Sequence, residues 1–263
     1  MPIHNSTHGH VASTLDCFVQ GLGEAGTEGP HIIRASKEHQ LLIRHCLLGR
    51  LPKSPADYVN GDTIPVYHLR KVYSHEQALG QCTKFLSEHC PDAELVPVTS
   101  TSKAAELIQQ ELAGSTAEPT IAAIASEMAA EHYGVPILRY NVQDEDTNKT
   151  RFLVLELMQA NDSPEMSPMS GLDDPSFRSL ILITVPHSKQ GALVEALKIV
   201  LKHSLNMTGI AQRPPSAQRP DDAIFLEIEG RFNGQVLKEL RLVTGVAEWL
   251  GSWRIPQDAP DAG

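Results

Sequence analysis

The stretch IAAIASEMAAEHYGVP, residues 121–136, decides the fold class. It begins with five consecutive apolar residues, Ile121–Ala125, which are typical of a short strand buried on both faces of a parallel sheet. Glu127–Tyr133 then follows helical spacing. Gly134 stands where a helix end favours a left-handed residue, and Pro136 prevents the helix from continuing. A buried strand that leads at once into a helix predicts a layered α/β architecture.

The segments on either side repeat this alternation of strand and helix. Apolar residues three and four apart predict amphipathic helices, and short apolar runs predict strands. The predicted helices are His75–His89 and Ser102–Leu112, and the further predicted strands are Glu94–Val98 and Arg151–Glu156. Residues 1–62 carry weaker patterns, a short helix at Ser13–Gln20 and a strand or helix end at Gln40–Cys46. We therefore predict one α/β domain over residues 1–158.

A second domain follows a linker. Residues 159–176 are rich in Ser, Pro, Met and Asp and show no periodicity, which is typical of a linker. Six elements are predicted within residues 177–256: strand Leu180–Val185, helix Gly191–His203, strand Asn206–Gln212, strand Ile224–Glu229, helix Gln235–Thr244 and strand Val246–Trp253. Their order is the βαββαβ arrangement of ferredoxin-like domains.

Charge and cysteine content narrow the possible partners. The formal net charge is −10 with scattered Lys and Arg, which argues against binding to nucleic acid or to an acidic membrane surface. No run approaches the roughly 20 apolar residues of a membrane-spanning helix. The four cysteines form no CxxC pair and no secretion signal is visible, so we predict reduced thiols in a cytoplasmic protein. His4, His8 and His10 lack Cys or carboxylate partners at ligand spacing, so no metal site is expected.

Ordered motifs reveal a family resemblance. The first domain carries, in order, Tyr73-Ser-His-Glu-Gln77, Val98-Thr-Ser-Thr-Ser102, Ala122-Ala-Ile-Ala-Ser126, Tyr133-Gly134 and Asn148-Lys-Thr-Arg-Phe-Leu153. The second carries Gly191-Ala-Leu-Val194, the run 205–214 and the ending Leu250-Gly-Ser-Trp-Arg254. Together they resemble prephenate dehydratases with a C-terminal ACT regulatory domain. A single tripeptide would be weak support, whereas ordered motifs followed by a matching module are specific.

The resemblance implies a fold and a reaction. The family's catalytic domain has two α/β lobes, like periplasmic binding proteins, with the active site between them. Its chains normally open with a GPxGTFS-like segment before a Pro-Ile-Glu-Asn-Ser motif, whereas here Met1 directly precedes Pro2-Ile3-His4-Asn5-Ser6. We therefore expect an incomplete bilobal domain without most of its first lobe and with His4 in place of the glutamate. The implied reaction converts prephenate to phenylpyruvate, with loss of water and carbon dioxide, in phenylalanine biosynthesis.

By this resemblance the Thr-Arg-Phe motif carries the catalysis. The reaction asks for a donor near the departing hydroxyl, a cation for a carboxylate and an apolar wall, rather than a metal, a cofactor or a covalent nucleophile. Thr150 would donate to the leaving hydroxyl, Arg151 would hold a carboxylate or its own supporting loop, and Phe152 would shape the site. An ordinary strand start, with Arg in solvent, would give the same tripeptide.

Hydroxyl-rich helix starts supply further candidates. Ser74 and Gln77 would take part in catalysis, but Ser-x-x-Gln before a helix is equally a capping box, and the two roles are compatible. His75 between them would be a solvated neighbour of the cap. At least one residue of the 100–102 turn should cap the next helix. The candidate substrate-binding residues are Asn5, Ser6, Ser100, Thr101 and Ser102.

The resemblance assigns regulation to the second domain. ACT modules of the family bind phenylalanine at a subunit interface and shift the catalytic lobes toward a less active state. The residues implied here are Gly191, Ala192, Leu193, Val194, Arg213 and Pro214. Gly191 opens a helix whose backbone amides suit the amino acid, although a plain turn gives the same pattern. The family's acidic residue before Arg213 is missing. We expect phenylalanine as effector and a homodimer or higher homo-oligomer through ACT sheets that pair edge to edge.

A second hypothesis belongs to a different class of function. The chain would be a non-catalytic fragment or paralogue that binds phenylalanine or pairs with a full-length enzyme, and its support is His4 and the expected absence of the first lobe. A solute-binding module would share only the bilobal fold, and a fold does not decide function. Prephenate and its aminated relative arogenate both fit the resemblance as substrates.

Overall fold

The structure, a computed structural model, describes residues 1–24, 31–51, 66, 68–114, 120–159, 174–216, 219–231 and 234–256. Contacts divide the chain into two compact units. Unit 1 consists of Met1–Leu41 and Lys149–Gly263, and unit 2 of Leu42–Asn148. In the sequence, unit 2 is thus an insertion within unit 1.

Unit 2 is an α/β layer on a five-stranded sheet. Its strands are β4 (Cys46–Gly49), β5 (Lys71–Ser74), β6 (Glu94–Pro97), β7 (Ile121–Ala125) and β8 (Ile137–Arg139). Its helices are α2 (Glu76–Gly80), α3 (Thr83–His89), α4 (Thr101–Gly114) and α5 (Glu127–Tyr133). The sheet order is β6-β5-β7-β4-β8, with β5 parallel to β6 and β7 and with β4 antiparallel to β7 and β8.

The apolar run that predicted the fold class lies at the centre of unit 2. Ala122, Ala123, Ile124 and Ala125 of β7 are fully buried, which confirms the prediction of a strand covered on both faces. Gly134 ends α5 in the left-handed conformation with φ 62°, as the sequence predicts. The α/β class of the first half of the chain is therefore confirmed.

The prediction of one continuous helix over His75–His89 was wrong, because the chain leaves helical geometry at Cys82 (φ −125°, ψ 24°) and starts α3 anew. The Asp144 carboxylate accepts hydrogen bonds from the backbone amides of Thr83 at 3.1 Å and Lys84 at 3.0 Å. These two amides would otherwise be unpaired donors of a helix start. A carboxylate more than fifty positions away in the sequence therefore supports the break.

The C-terminal part of unit 1 has the predicted ferredoxin-like topology. Its elements are β10 (Phe177–Val185), α6 (Ala192–Lys202), β11 (Met207–Arg213), β12 (Asp222–Glu229), α7 (Gly234–Val243) and β13 (Ala247–Arg254). The strands lie in the order β11-β12-β10-β13, and every neighbouring pair is antiparallel. Buried Ile181, Val200 and Leu240 belong to the core shared by this sheet and the two helices.

The N-terminal residues extend that sheet. They form β1 (Pro2–Asn5), β2 (Gly9–His10), α1 (Ala12–Glu24) and β3 (His31–Leu42), and β9 (Lys149–Gln159) returns from unit 2. The full sheet order is β11-β12-β10-β13-β3-β9-β1-β2. At the junction Gly251 has φ 137°, and a Cβ there would overlap the backbone of Ala35, so only glycine fits. The weakly patterned N-terminus thus contains the predicted short helix and several strands.

The division into two units by contacts does not follow the predicted domain limits, 1–158 and 177–256, and these limits stay predictions. Most of the predicted linker 159–176 lies outside the described residues. Across the described part of the chain, no helix is long and apolar enough to cross a membrane. The four cysteines are free thiols, with Cys17 exposed and the other three buried. A cytoplasmic location stays a prediction.

Candidate functional site

Thr150 receives a hydrogen bond that fixes its hydroxyl oxygen. Strands β1 and β9 pair antiparallel, and Asn5 lies opposite Thr150 in the register. The Asn5 side-chain amide donates to Thr150 Oγ1 at 2.9 Å. Thr150 is only 9% exposed. A hydroxyl whose oxygen already accepts a hydrogen bond keeps its own proton for a second partner. The geometry therefore leaves Thr150 as a donor.

The Asn5 side chain is held from both ends. Its Oδ1 accepts from the backbone amides of Thr7 at 2.9 Å and His8 at 3.0 Å, while its Nδ2 also lies 3.4 Å from Lys149 O. Ser6 pairs with Lys149 twice, through its amide to the carbonyl at 2.9 Å and through its hydroxyl, which accepts from the Lys149 amide at 2.9 Å. Both predicted substrate contacts in this motif thus order the segment that faces Thr150.

Arg151 contacts carboxylates of its own chain. Its Nε donates to Glu38 Oε1 at 3.0 Å, and its Nη2 donates to Glu38 Oε2 and to Glu227 Oε2 at 2.8 Å each. Its Nη1 donates to Glu227 Oε1 at 3.3 Å. The side chain is 17% exposed, so a strand start with Arg in solvent is not what the structure shows. Side chains alternate along a strand, which places Thr150 and Phe152 together on the opposite face. Phe152 is half-buried.

One further residue, Arg178, completes a group that we call the charge cluster: Glu38, Arg151, Arg178 and Glu227. Arg178 Nη1 donates to Glu38 Oε2 at 3.1 Å. Its Nε lies 3.2 Å from Glu227 Oε1, a contact between charges without hydrogen-bond alignment. Trp253 Nε1 donates to Glu38 Oε2 at 2.9 Å. The cluster pairs two cations with two anions, which is how buried charges are accommodated in proteins.

The Glu38 carboxylate stays ionised although its side chain has no exposed surface. Burial by itself raises the pKa of this carboxyl. Hydrogen bonds and charge from Arg151, together with the donors of Trp253 and Gln40, outweigh burial and lower the pKa to about 2. Next to the cluster, the rings of His4 and His10 meet edge to face with centroids 5.0 Å apart. Burial lowers the pKa of His4, followed by the charges of the neighbouring His10 and of Arg151.

The predicted capping box at Ser74 and Gln77 was wrong. The helix begins one residue later than that motif requires, with His75 as N-cap, and His75 Nδ1 accepts from the Gln77 amide at 3.2 Å. Ser74 lies at the end of β5, is fully buried, and donates its hydroxyl to Ile124 O at 2.6 Å. The hydroxyl therefore joins two strands, and the Gln77 side chain is exposed.

The turn at residues 100–102 caps a helix as predicted. Ser100 Oγ accepts from the Lys103 amide at 3.0 Å at the start of α4. Ser100 and Ser102 are exposed and Thr101 is half-buried. The candidates therefore fall into two groups: Ser74, Gln77 and the 100–102 turn belong to unit 2, whereas Asn5, Ser6 and the Thr-Arg-Phe motif belong to unit 1.

The predicted effector residues occupy two places in unit 1. Gly191 precedes α6 with φ 79°, Ala192 is buried and Val194 is 55% exposed. Arg213 ends β11, and its guanidinium donates to both Asp16 carboxylate oxygens at 2.6 and 2.8 Å. A cavity of ≈ 510 Å³ lies beside it, lined by Asp16, Val19, Gln20, Thr184, Arg213, Pro214, Pro215, Ser216, Arg219, Asp221 and Val246. None of residues 191–194 is among those lining residues.

The sequence analysis did not identify the carboxylate partners of Arg151 and Arg213. Glu227 interrupts the apolar run of β12. A charged residue inside such a run indicates a buried charge with a partner, so the sequence could have identified Glu227. Glu38 and Asp16 lie in polar or weakly patterned segments that gave no such signal. Among the described residues, no group of three or more metal-ligating side chains is present.

The family model and the curated relatives name one family. The model of the family described as "Prephenate dehydratase" matches residues 1–160. A bifunctional chorismate mutase/prephenate dehydratase of Aquifex aeolicus is 31% identical over 260 residues, covering 96% of this chain and 60% of that protein. The chain thus spans little more than half the length of the curated relatives that head the comparison.

Two solved structures share the fold of this chain. A prephenate dehydratase of Arthrobacter aurescens in complex with L-Phe has a TM-score of 0.71 at 22% identity, and the match covers 99% of this chain and 76% of that one. GqqA, described as a novel type of quorum quenching acylase, has a TM-score of 0.71 at 25% identity, with 97% and 81% covered. One fold therefore accompanies two described activities, and the reaction must be argued from the site.

Proposed function

Because this chain belongs to the prephenate dehydratase family, we propose that it converts prephenate to phenylpyruvate, water and carbon dioxide. The observation that carries the proposal is the hydrogen bond from Asn5 to Thr150, which orders the one hydroxyl of the Thr-Arg-Phe motif. The reaction must break the bond between the ring and its hydroxyl while the ring carboxylate leaves as carbon dioxide. The electron pair of the broken carbon–carbon bond completes the aromatic ring, and the departing hydroxide needs a proton or a strong hydrogen bond.

Thr150 is the proposed donor to that departing oxygen. Its own oxygen accepts from Asn5, so its proton points to a second partner, and a donor placed where negative charge develops stabilises the transition state. Asn5 is then a positioning residue for Thr150, and Ser6 anchors the same turn to β9. Phe152 shares the Thr150 face and would exclude water from the ring. Ser74, Gln77, Ser100, Thr101 and Ser102 stay candidates from unit 2, and no metal or cofactor is part of the proposal.

The test is phenylpyruvate formation from prephenate, and separately phenylalanine formation from the aminated relative arogenate, by the purified chain. Thr150→Val keeps the branched shape but removes the hydroxyl, and Thr150→Ser keeps the hydroxyl. We expect Thr150→Val to lower kcat by about 10²- to 10⁴-fold, the range for losing a positioned proton donor, and Thr150→Ser to retain most activity. Equal rates in the parent chain and Thr150→Val would refute the assignment of Thr150. A folded parent chain that binds phenylalanine but makes no product would favour the non-catalytic hypothesis.

We propose that phenylalanine regulates this chain through the ferredoxin-like part of unit 1. Arg213 and Pro214 line a cavity there, and the Arg213 guanidinium pairs with the Asp16 carboxylate. Because the Asp16 side chain is 42% exposed, an effector carboxylate could replace it on Arg213 and leave Asp16 to water. The Arthrobacter aurescens relative, crystallised with L-Phe, supports the choice of effector. Arg213→Lys should weaken inhibition by phenylalanine because lysine loses the two-pronged contact. Unchanged inhibition would remove Arg213 from the effector site.

We also propose a homodimer, in which the β11 edges of two copies pair. β11 is a terminal strand of the eight-stranded sheet, and Met207 and Ile210 on it are 39% and 44% exposed. An open strand edge with apolar side chains favours pairing with another strand. Light scattering on the purified chain tests this state. A monomer at working concentration would contradict it.

A further inference from the structure

The Arg151 guanidinium is already committed to carboxylates of its own chain. Four of its N–H to oxygen contacts reach Glu38 and Glu227, at distances from 2.8 to 3.3 Å. Both acidic side chains are at most 10% exposed. These contacts use four of the five N–H groups of the guanidinium. A substrate carboxylate that bound Arg151 through two N–H groups would therefore have to displace Glu38 or Glu227, and the displaced buried anion would lose its partner at a high cost in free energy.

Each member of the charge cluster comes from a different strand. Glu38 is on β3, Arg151 on β9, Arg178 on β10 and Glu227 on β12. Strands β10 and β12 belong to the ferredoxin-like part, while β9 carries Thr150 on its other face. Thr208 on β11 adds a hydroxyl that donates to Glu227 Oε1 at 3.0 Å. The charge cluster therefore links β9, the strand that carries the proposed catalytic hydroxyl, to three other strands of the sheet.

We propose, building on the proposed function, that Arg151 is a positioning residue and not the cation that binds the substrate. Glu38 and Glu227 hold its guanidinium. The Arg151 side chain, held in this way, fixes the position and orientation of the β9 backbone at Thr150. Thr150 is thus located from two sides, by Asn5 along β1 and by the charge cluster beneath the sheet. The cation for the substrate's carboxylate must come from another residue.

Steady-state kinetics on prephenate separates the two roles of Arg151. The variants are Glu38→Gln and Arg151→Lys, with Glu248→Gln as the matched control because Glu248 also sits on this sheet but makes a part-exposed pair with Arg241 at 3.4 Å. A misplaced donor lowers kcat at saturating substrate, by about 10- to 100-fold for a shift near 1 Å, with little change in KM. We expect this pattern in both variants, and parent kinetics in Glu248→Gln.

The double variant sharpens the test. If both residues act through one positioned strand, Glu38→Gln/Arg151→Lys should lose no more kcat than the worse single variant. Binding of the substrate by Arg151 predicts instead a KM raised at least tenfold in Arg151→Lys with kcat preserved in Glu38→Gln, and this result would overturn the proposal. An inactive parent chain would overturn the proposed function together with this inference, whereas an active parent with unchanged kcat in Glu38→Gln overturns the inference alone.

A milder variant covers the case in which Glu38→Gln does not fold. Thr208→Val removes one donor to Glu227 and leaves all four charges in place. We expect a kcat two- to fivefold below that of the parent, with KM unchanged, because only part of the contribution of one hydrogen bond to a carboxylate would reach Thr150 through the strand. A kcat equal to that of the parent, in a folded protein, contradicts the positioning role.

Discussion

The buried faces of the two sheets differ in the way they are stabilised. In unit 2, residues 122–125 of β7 are fully buried alanines and one isoleucine, and the Ser74 hydroxyl donates to Ile124 O beside them. In unit 1, the face of the sheet beside Trp253 contains two glutamates and two arginines. The core of unit 2 depends on volume and area, whereas the sheet of unit 1 adds to its apolar core a group that depends on matched charges and hydrogen-bond directions.

This difference indicates which part of the molecule tolerates substitution least. An apolar core accepts small repacking with modest loss, because dispersion and the hydrophobic effect have little directional preference. A buried charge cluster loses much more when one member is removed, because the remaining charge is left without a partner. The strand that carries the proposed catalytic hydroxyl is fixed by the second kind of contact.

The largest expected effect on stability is in Glu38→Gln. Removing this anion leaves Arg151 and Arg178 facing one glutamate, and breaking a buried pair costs about 3–5 kcal/mol. Urea unfolding followed by tryptophan fluorescence measures it, because both tryptophans, Trp249 and Trp253, lie in unit 1. The control Glu248→Gln should change the free energy of unfolding by less than about 1 kcal/mol. Equal losses in the two variants would show that the cluster is no more demanding than a surface pair.

The stability of unit 1 should also depend on acid pH through Glu38. The pKa of its carboxyl is about 2 in the folded chain and lies at the ordinary value of 4.5 when unfolded. Above pH 4.5 the stabilisation is fully present, and it is lost as the pH falls from 4.5 through 2, because the unfolded chain binds the proton more readily. The fluorescence-detected urea midpoint should fall over this window. The Glu38→Gln variant should show a shallower fall, and an identical pH profile would argue against the low pKa.

The smallest expected effect is in Ser74→Ala in unit 2. The variant removes one buried hydroxyl that donates to Ile124 O, and one neutral hydrogen bond contributes about 1 kcal/mol. Ser87→Ala is the matched control, since the Ser87 hydroxyl donates at 2.9 Å to Lys84 O on an exposed helix surface. Circular dichroism in urea gives the free energies, and kcat for prephenate gives the second readout. A kcat loss far beyond the change in stability would favour Ser74 as a catalytic residue.

Much of the fold could be predicted because its signals are local. The Ile121–Ala125 strand, the helix that ends at Gly134 and the six ferredoxin-like elements all follow from runs of neighbouring residues. The wrong predictions lie where a distant residue intervenes. Asp144 accepts hydrogen bonds from a new helix start inside the predicted His75–His89 helix. The Ser74 hydroxyl donates to Ile124 O and does not cap the helix as predicted.

The sequence by itself determined the α/β class, the βαββαβ order and the family, because apolar periodicity and ordered motifs are properties of adjacent residues. Only the tertiary structure decided what Arg151 touches. Its partners come from positions 38 and 227, on strands that neither periodicity nor spacing pairs with β9. A charge is buried only beside an oppositely charged partner. Which residue becomes that partner depends on how the strands of the whole sheet pair, and not on any local stretch of sequence.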